Sequence, residues 1–258
     1  MQLPLSTVIL FALACALHGV EVGDRVQPSI DVPRLSKAPL VTADILDPAW
    51  STTALIPALG LSHKEPAQHL PTQSTTVQLG WEPDFLHIRF VCQDAHIFLP
   101  QQGRDAELYR GDVVEVFLDT VGDGAAVTEL QFSPGGDAFD QVILLTRPLV
   151  SQENGLMAGD LASRDLWMDR SWNMEGLRWA TKRSDSGWVT DVAIPARSAL
   201  RRSGLGSWKP MTIYANLLRY DYMPTATGQQ MVALNWSTVQ FGCPHLSPSR
   251  MGRLHLVE

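Results

Sequence analysis

The chain has 258 residues, of which 45% are hydrophobic, and a formal net charge of -7. This length fits one all-β domain, and a core of that size needs neither disulfides nor a metal for its stability. The mild acidity, together with the lack of any run of five or more basic residues, argues against a nucleic-acid-binding surface.

The N-terminal segment has the pattern of a secretory signal. Residues 1–20 contain no Asp, Glu, Lys or Arg, and the run Leu3–Leu17 is apolar or small. That run is too short to span a bilayer as a helix, and no other apolar run is longer. It fits the hydrophobic region of a signal peptide, with Ala14-Cys15-Ala16 as the cleavage signal.

We therefore predict a signal peptide over residues 1–19, a polar lead-in over 20–38 that is either a linker or an edge strand, and one domain over 39–258. The protein is expected to be secreted or periplasmic, without a membrane span. A buried N-terminal strand and a lipoprotein modified at Cys15 are the alternatives. Cys92 and Cys243 follow the signal, and both a disulfide and two separate buried thiols remain open for them.

Strand and turn signals dominate the rest of the chain. Asp47 and Pro48 predict a capped helical turn. Thr75–Trp81 and Phe85–Cys92 alternate in polarity around a turn and predict a hairpin. Further strands are predicted at Asp112–Asp119, Val127–Phe132, Phe139–Thr146, Leu177–Thr181, Gly187–Ile194, Met211–Tyr220 and Gly252–Val257. Many short strands at near-regular spacing favour a β-sandwich.

One residue breaks the apolar pattern of its strand. In the segment DVVEVFLD, Glu115 shares a face with Val113 and Phe117. A carboxylate is unexpected on such a face, since charged side chains are rarely buried without a partner. Glu115 is therefore a candidate for binding a ligand, or for pairing with a cation such as Arg219.

Six segments in order resemble the family 9 carbohydrate-binding modules that are attached to xylanases. They are LDPAW, LGWEPDFLHIRFVCQD, YRGDVVEVFLD, ELQF, GWVTDVAIP and a closing pattern of W, FG and L. The resemblance covers the chain from about residue 39 to the C-terminus. It implies an all-β, jelly-roll-like antiparallel β-sandwich with short helical turns, and structural calcium ions.

The resemblance also implies a ligand site in which two aromatic rings grip a sugar. Carried over by position, the rings fall on Tyr109 and Trp236, and the polar contacts on Glu115 and Gln131. The xylanase modules have an Arg where Ser133 stands here, which leaves the sugar itself open.

Two arginines complete the set of predicted ligand-binding residues. Arg219 resembles an Arg of stand-alone relatives and is a candidate for the missing cation. Arg104 precedes Tyr109 in the same predicted loop. Such a set suits a sugar, because aromatic rings stack on its apolar faces while carboxylates, amides and Arg bind its hydroxyl groups.

Three carboxylates are candidates for holding calcium. Asp119, Asp123 and Glu129 offer the hard oxygen ligands that this ion prefers. Their spacing does not match an EF-hand, and solvated turn carboxylates are the alternative interpretation.

We therefore predict binding of an oligo- or polysaccharide in polysaccharide catabolism, of the xylan or cellulose type, by a protein that is not itself an enzyme. A glycoside hydrolase is one alternative, which requires a pair of carboxyl groups across the scissile bond. Asp112 and Glu115 make a poor pair because they point to opposite faces of a strand. A haem-binding electron-transfer sandwich is the other alternative, suggested by His87, His96 and the methionines.

Overall fold

The computed structural model describes residues 27–62, 73–145, 166–239 and 250–258. The predicted signal peptide and Cys243 lie outside these residues. Two β-sheets account for most of the described chain, so the predicted all-β sandwich is confirmed. No helix in these ranges is long and apolar enough to cross a membrane.

The larger sheet has nine strands within the described ranges. They are β1 (Ser29–Pro33), β3 (Gly60–Leu61), β6 (Val113–Asp119), β7 (Ala126–Phe132), β8 (Ala138–Leu145), β9 (Leu166–Asp169), β12 (Met211–Thr225), β13 (Gly228–Asn235) and β14 (Gly252–Val257). The order is β1-β14-β12-β6-β7-β8-β9, and β13 pairs with both β12 and β3. All of these pairs are antiparallel except β1 with β14.

The smaller sheet has five antiparallel strands in the order β10-β11-β5-β4-β2. They are β2 (Ala54–Ile56), β4 (Thr75–Trp81), β5 (Phe85–Gln93), β10 (Arg178–Ser184) and β11 (Gly187–Pro195). The β4–β5 hairpin, which the alternation of its strands predicts, is confirmed, with Trp81 opposite Leu86 at the turn.

Short helical segments connect the strands. A 3₁₀ turn spans Pro48–Thr52, and Asp47 caps it as predicted by accepting the Ala49 amide at 3.0 Å. Another 3₁₀ turn, Leu108–Arg110, leads into β6, and α1 (Ala196–Ala199) follows β11.

The core lies between the two sheets and gives the large sheet two distinct faces. Val114, Val116 and Leu118 on β6 point toward the small sheet and pack in this core. We call that side of the large sheet the inner face. Each fully buried aliphatic or aromatic side chain stabilises the fold by roughly 1.5–3 kcal/mol. Trp81 is 1% exposed and packs in this core. Trp50 is 3% exposed, as predicted for a buried residue, but it packs on Arg89 at the other side of the small sheet.

The opposite side, the outer face, carries the other half of each strand. On β6 it presents Val113, Glu115 and Phe117, because side chains alternate along a strand. Phe117 packs there with Ile143 and Leu218 in a separate apolar cluster. The unexpected position of Glu115 in the sequence is thus a position on the outer face.

In the part of the chain that it describes, the structure adds five strands to the nine that the sequence predicts, namely β1, β2, β3, β9 and β13. The lead-in over 20–38 contains β1, whose Val32 is fully buried and whose five residues pair with β14, so the edge-strand alternative applies to it. β13 is not predicted by the sequence, because its first half, GQQM, is exposed and has no apolar alternation.

Cys92 is a free thiol, and burial raises its pKa to about 12.

Candidate functional site

Four polar side chains lie side by side on the outer face of the large sheet. Glu115 on β6 is opposite Gln131 on β7, and Glu129 on β7 is opposite Gln141 on β8. None of the four is more than 5% exposed. The side-chain amides of Gln131 and Gln141 donate to the two oxygens of Glu129 at 2.5 and 2.6 Å. We call these four residues the polar cluster.

Several atoms of the polar cluster have no hydrogen-bond partner. The carbonyl oxygens Oε1 of Gln131 and Gln141 are buried and unpartnered. The hydrogen bonds found among the described residues include none to the Glu115 carboxyl group. An unsatisfied buried polar group costs about 1–3 kcal/mol, so a cluster of them calls for an explanation in function.

The two carboxyl groups of the cluster have shifted pKa values. Burial raises the pKa of Glu115 well above its usual range, and the charge of Glu129 acts in the same direction. Burial also raises the pKa of Glu129, but the amide hydrogen bonds and the charge of Arg170 oppose that shift. Of the two groups, Glu115 therefore has the stronger tendency to keep its proton.

Aromatic side chains border the polar cluster at one end. Tyr109 lies half-buried in the 3₁₀ turn before β6, and the hydroxyl of Tyr222 donates to its carbonyl oxygen at 2.9 Å. Tyr220 packs with Leu108 and Phe139 on the same face. Tyr109 is thus beside the outer face that carries Glu115 and Gln131, so three of the predicted site residues come together.

A cation that the sequence did not reveal lies at the same place. The guanidinium of Arg170 is 5.7 Å from the ring centroid of Phe139, and it lies 3.8 Å from a carboxylate oxygen of Glu107. Its side chain is 52% exposed. Arg170 supplies a positive group at the edge of the cluster, where Ser133 left the sequence without one.

Asn235 extends the polar row on the far side of β12. It pairs with Leu218, which in turn is opposite Glu115, so all three point to the outer face. Asn235 is 4% exposed, and both polar atoms of its side chain lack a partner. The sequence pattern singles out neither Asn235 nor Gln141, because only the register of the strands places them beside Glu115.

Trp236 and Arg219 lie on the inner face, away from the polar cluster. Trp236 packs against the core between the sheets, with its ring against the Cα position of Gly252. Tyr109 and Trp236 therefore do not form the expected pair of rings, because the large sheet separates them.

Arg219 does not pair with Glu115. The predicted alternative in which Glu115 is the structural partner of Arg219 is therefore wrong. Its register partner on β6 is Val114, an inner-face residue. The guanidinium lies 3.1 Å from Asp94 and 3.2 Å from Asp221, and donates to the Gln93 carbonyl at 2.7 Å. Arg219 thus links the two sheets in the interior.

Arg104 is held by contacts within its own region. Its guanidinium donates to Asp140 at 2.6 Å and to Asn173 at 2.8 Å, and it also pairs with Asp105. Asp140 is fully buried, and its second oxygen accepts the amide of Met174. These contacts give Arg104 a role in positioning the loop before Tyr109.

The three predicted calcium ligands do not form one group. Asp119 accepts the backbone amides of Val121, Gly122 and Gly124, and so holds the turn after β6. Asp123 pairs with Arg202, and Glu129 belongs to the polar cluster. Because their oxygens are engaged in different places, these residues do not fit a shared calcium site.

A different group of carboxylates comes together near Arg219. Oxygens of Asp94, Asp112 and Asp221 lie within 4.8 Å of one another. Two of these residues face the guanidinium of Arg219, and Asp112 accepts the amides of Phe98 and Tyr222 at 2.5 and 2.7 Å. The group therefore has an internal cation, and most of its oxygens already have partners.

The fold is that of family 9 carbohydrate-binding modules. The structure is similar to such a module from Caldicellulosiruptor kristjanssonii in complex with cellotriose (TM-score 0.61, 13% identity, 88% of this chain and 93% of that one). The structure has the same TM-score and identity to a module of that organism in complex with glucose, with 89% of this chain and 95% of that one covered. A Bacteroides uniformis protein assigned to carbohydrate binding gives a TM-score of 0.64 at 13% identity, with 90% of this chain and 100% of that one covered.

No protein-family model matches the sequence, and no curated protein matches it. The similarity therefore resides in the fold.

Proposed function

We propose that this protein binds a carbohydrate on the outer face of its large sheet, against Tyr109 and the polar cluster. The observation that carries this proposal is the group of buried, unpartnered polar atoms beside half-buried tyrosines. A sugar offers what such a surface lacks, since its hydroxyl groups satisfy polar atoms while its apolar faces stack on aromatic rings.

The structural neighbours support this proposal. Two of them are modules whose structures contain cellotriose or glucose. Glu115 and Gln131 fall on polar positions of the family's sequence pattern, and they lie directly opposite each other on adjacent strands. Arg170 and Asn235 would add a cation and an amide to the contacts of the bound sugar.

A glycan array followed by calorimetry on the best ligand tests the proposal. Tyr109→Ala and Gln131→Ala should each weaken binding by about tenfold or more, because each removes a stacking or hydrogen-bonding contact. Trp167→Ala is the matched aromatic control: Trp167 is 56% exposed on edge strand β9 and faces the inner side. Binding that survives both site variants, or no glycan binding at all, would refute the proposal.

We also propose that the protein is secreted or periplasmic and that residues 1–19 act as its signal peptide. The apolar run near the N-terminus supports this, and a polysaccharide ligand would be met outside the cytoplasm. Comparing the N-terminal residue of the exported protein with the sequence tests it, and an uncleaved N-terminus would contradict it. Calcium stays a prediction from the family resemblance, which thermal unfolding with and without a chelator would check.

Hydrolysis is a second candidate because of one observation. Glu115 and Glu129 point to the same face of adjacent strands, and their environments push their pKa values apart. Pairs of this kind divide into an acid and a base in glycosidases. Release of reducing sugar from the bound glycan, abolished by Glu115→Gln, would establish this activity.

A further inference from the structure

Within the polar cluster, the buried atoms that lack any hydrogen-bond partner are both acceptors. The amide nitrogens of Gln131 and Gln141 are both used in holding Glu129. What remains unpartnered is the carbonyl oxygen of each amide, and no hydrogen bond found among the described residues reaches the Glu115 carboxyl group. A ligand that satisfies these atoms must therefore bring donors.

The cluster also contains buried acidic groups without a buried counter-charge. Among the described residues, the nearby cations are Arg170 and Arg110, whose side chains are 52% and 47% exposed and face Glu107. The fully buried Arg219 lies on the other face with its own carboxylates. Burying a carboxylate is costly unless a cation accompanies it, so a bound cation would stabilise Glu115 and Glu129 in their charged forms.

One chemical group supplies both requirements. A protonated amine has three N–H donors, no acceptor and a positive charge. A hydroxyl group provides a single donor and no charge, and a uronic acid or sulfate would bring further acceptors and a like charge. We propose that the polar cluster receives the ammonium group of a 2-amino sugar, so that the preferred glycan contains glucosamine units. This inference rests on the proposed function and names its ligand class.

Three trisaccharides of the same length separate the possibilities. Cellotriose, the β-1,4 trimer of N-acetylglucosamine and the β-1,4 trimer of glucosamine differ only in carrying a hydroxyl, an acetamide or an ammonium group at C2. Calorimetry at mildly acidic pH, where the amine is protonated, should show the glucosamine trimer binding about tenfold or more tightly than cellotriose. Added salt should weaken this preference, because part of it is electrostatic.

Charge-removing variants test the residues. Glu115→Gln and Glu129→Gln should each reduce the ratio of the two affinities, glucosamine trimer over cellotriose, by about tenfold. Asp31→Asn, which removes one exposed carboxylate on β1, is the matched control and should leave the ratio unchanged. Each variant should fold, because Gln is nearly isosteric with Glu. Circular dichroism and thermal unfolding check this.

The outcomes separate this inference from the proposed function. Cellotriose bound as tightly as the glucosamine trimer, or a ratio that the Glu variants do not alter, overturns the inference and leaves carbohydrate binding intact. No binding of any of the three, with no other glycan bound on an array, overturns both. If calcium chloride displaces the glucosamine trimer and binds only while Glu115 is present, the cluster is a metal site and the inference is wrong.

Discussion

The burial of Asp112 should be visible in the pH dependence of stability. Burial raises the pKa of its carboxyl group to about 7, although two backbone amides bind it, and the charges of Asp94 and Asp221 add to the shift. In the unfolded chain this pKa is about 4. Because the folded value is the higher one, the contribution of Asp112 is fully present below about pH 4 and is lost as the pH rises to about 7.

Replacing Asp112 should flatten that profile. We expect Asp112→Asn to lower the free energy of unfolding by about 1–3 kcal/mol, because an amide NH₂ would face one of the two backbone donors. The same variant should remove the part of the decline between about pH 4 and pH 7 that Asp112 causes. Urea unfolding at a series of pH values measures both, and an unchanged slope would show that another group titrates.

Arg219 should prove structural. Arg219→Met leaves Asp94 and Asp221 buried without their cation, and removing one partner of a buried ion pair costs about 3–5 kcal/mol. Arg34→Met is the matched control, since Arg34 pairs with Glu258 on the surface and should contribute at most about 1 kcal/mol. Chemical denaturation gives both values. Equal effects of the two variants would contradict the buried network.

The contact between Gly252, at the start of β14, and Trp236, just after β13, allows a test of where Trp236 lies. A Cβ atom on Gly252 would lie 2.6 Å from the Trp236 ring and 2.9 Å from the Pro28 carbonyl oxygen. Gly252→Ala should therefore destabilise the fold by about 1–3 kcal/mol. Gly206→Ala, where nothing lies within 4 Å, is the control and should change little. The folded Gly252 variant should still bind its glycan, and a selective loss of binding would return Trp236 to the site.

Strand β1 should contribute to the thermal stability of the domain. A chain that begins at residue 27 keeps β1, whereas one that begins at 39 loses five paired residues and the buried Val32. We expect the shorter chain to unfold at a clearly lower temperature, because the edge of β14 and part of the core become exposed. Equal melting temperatures would mean that residues 20–38 are a linker.

At the scale of the whole molecule, the sequence indicated the architecture and part of the site. Alternation in β4 and β5, together with many short strands at near-regular spacing, predicted a sandwich, because a strand with one apolar face must bury it. Glu115 and Gln131 were found because each stands within a segment that resembles the family pattern, and Glu115 also interrupts an apolar face.

The remaining site residues depend on how distant strands align. Gln141, Arg170 and Asn235 come from β8, from just after β9 and from the end of β13, and only sheet register brings them to the outer face. A shift of one residue in register moves a side chain to the opposite face. For the same reason the sequence could not show that Trp236 and Arg219 face the interior.

The central claim is that a glycan binds on the outer face of the large sheet, and mapping by NMR tests it most directly. Titrating the labelled protein with its best glycan should shift the side-chain amide signals of Gln131, Gln141 and Asn235, together with backbone signals of Tyr109 and Glu115. Signals of inner-face residues such as Trp236 should move much less. Shifts centred on Trp236, or elsewhere than the outer face, would contradict the account.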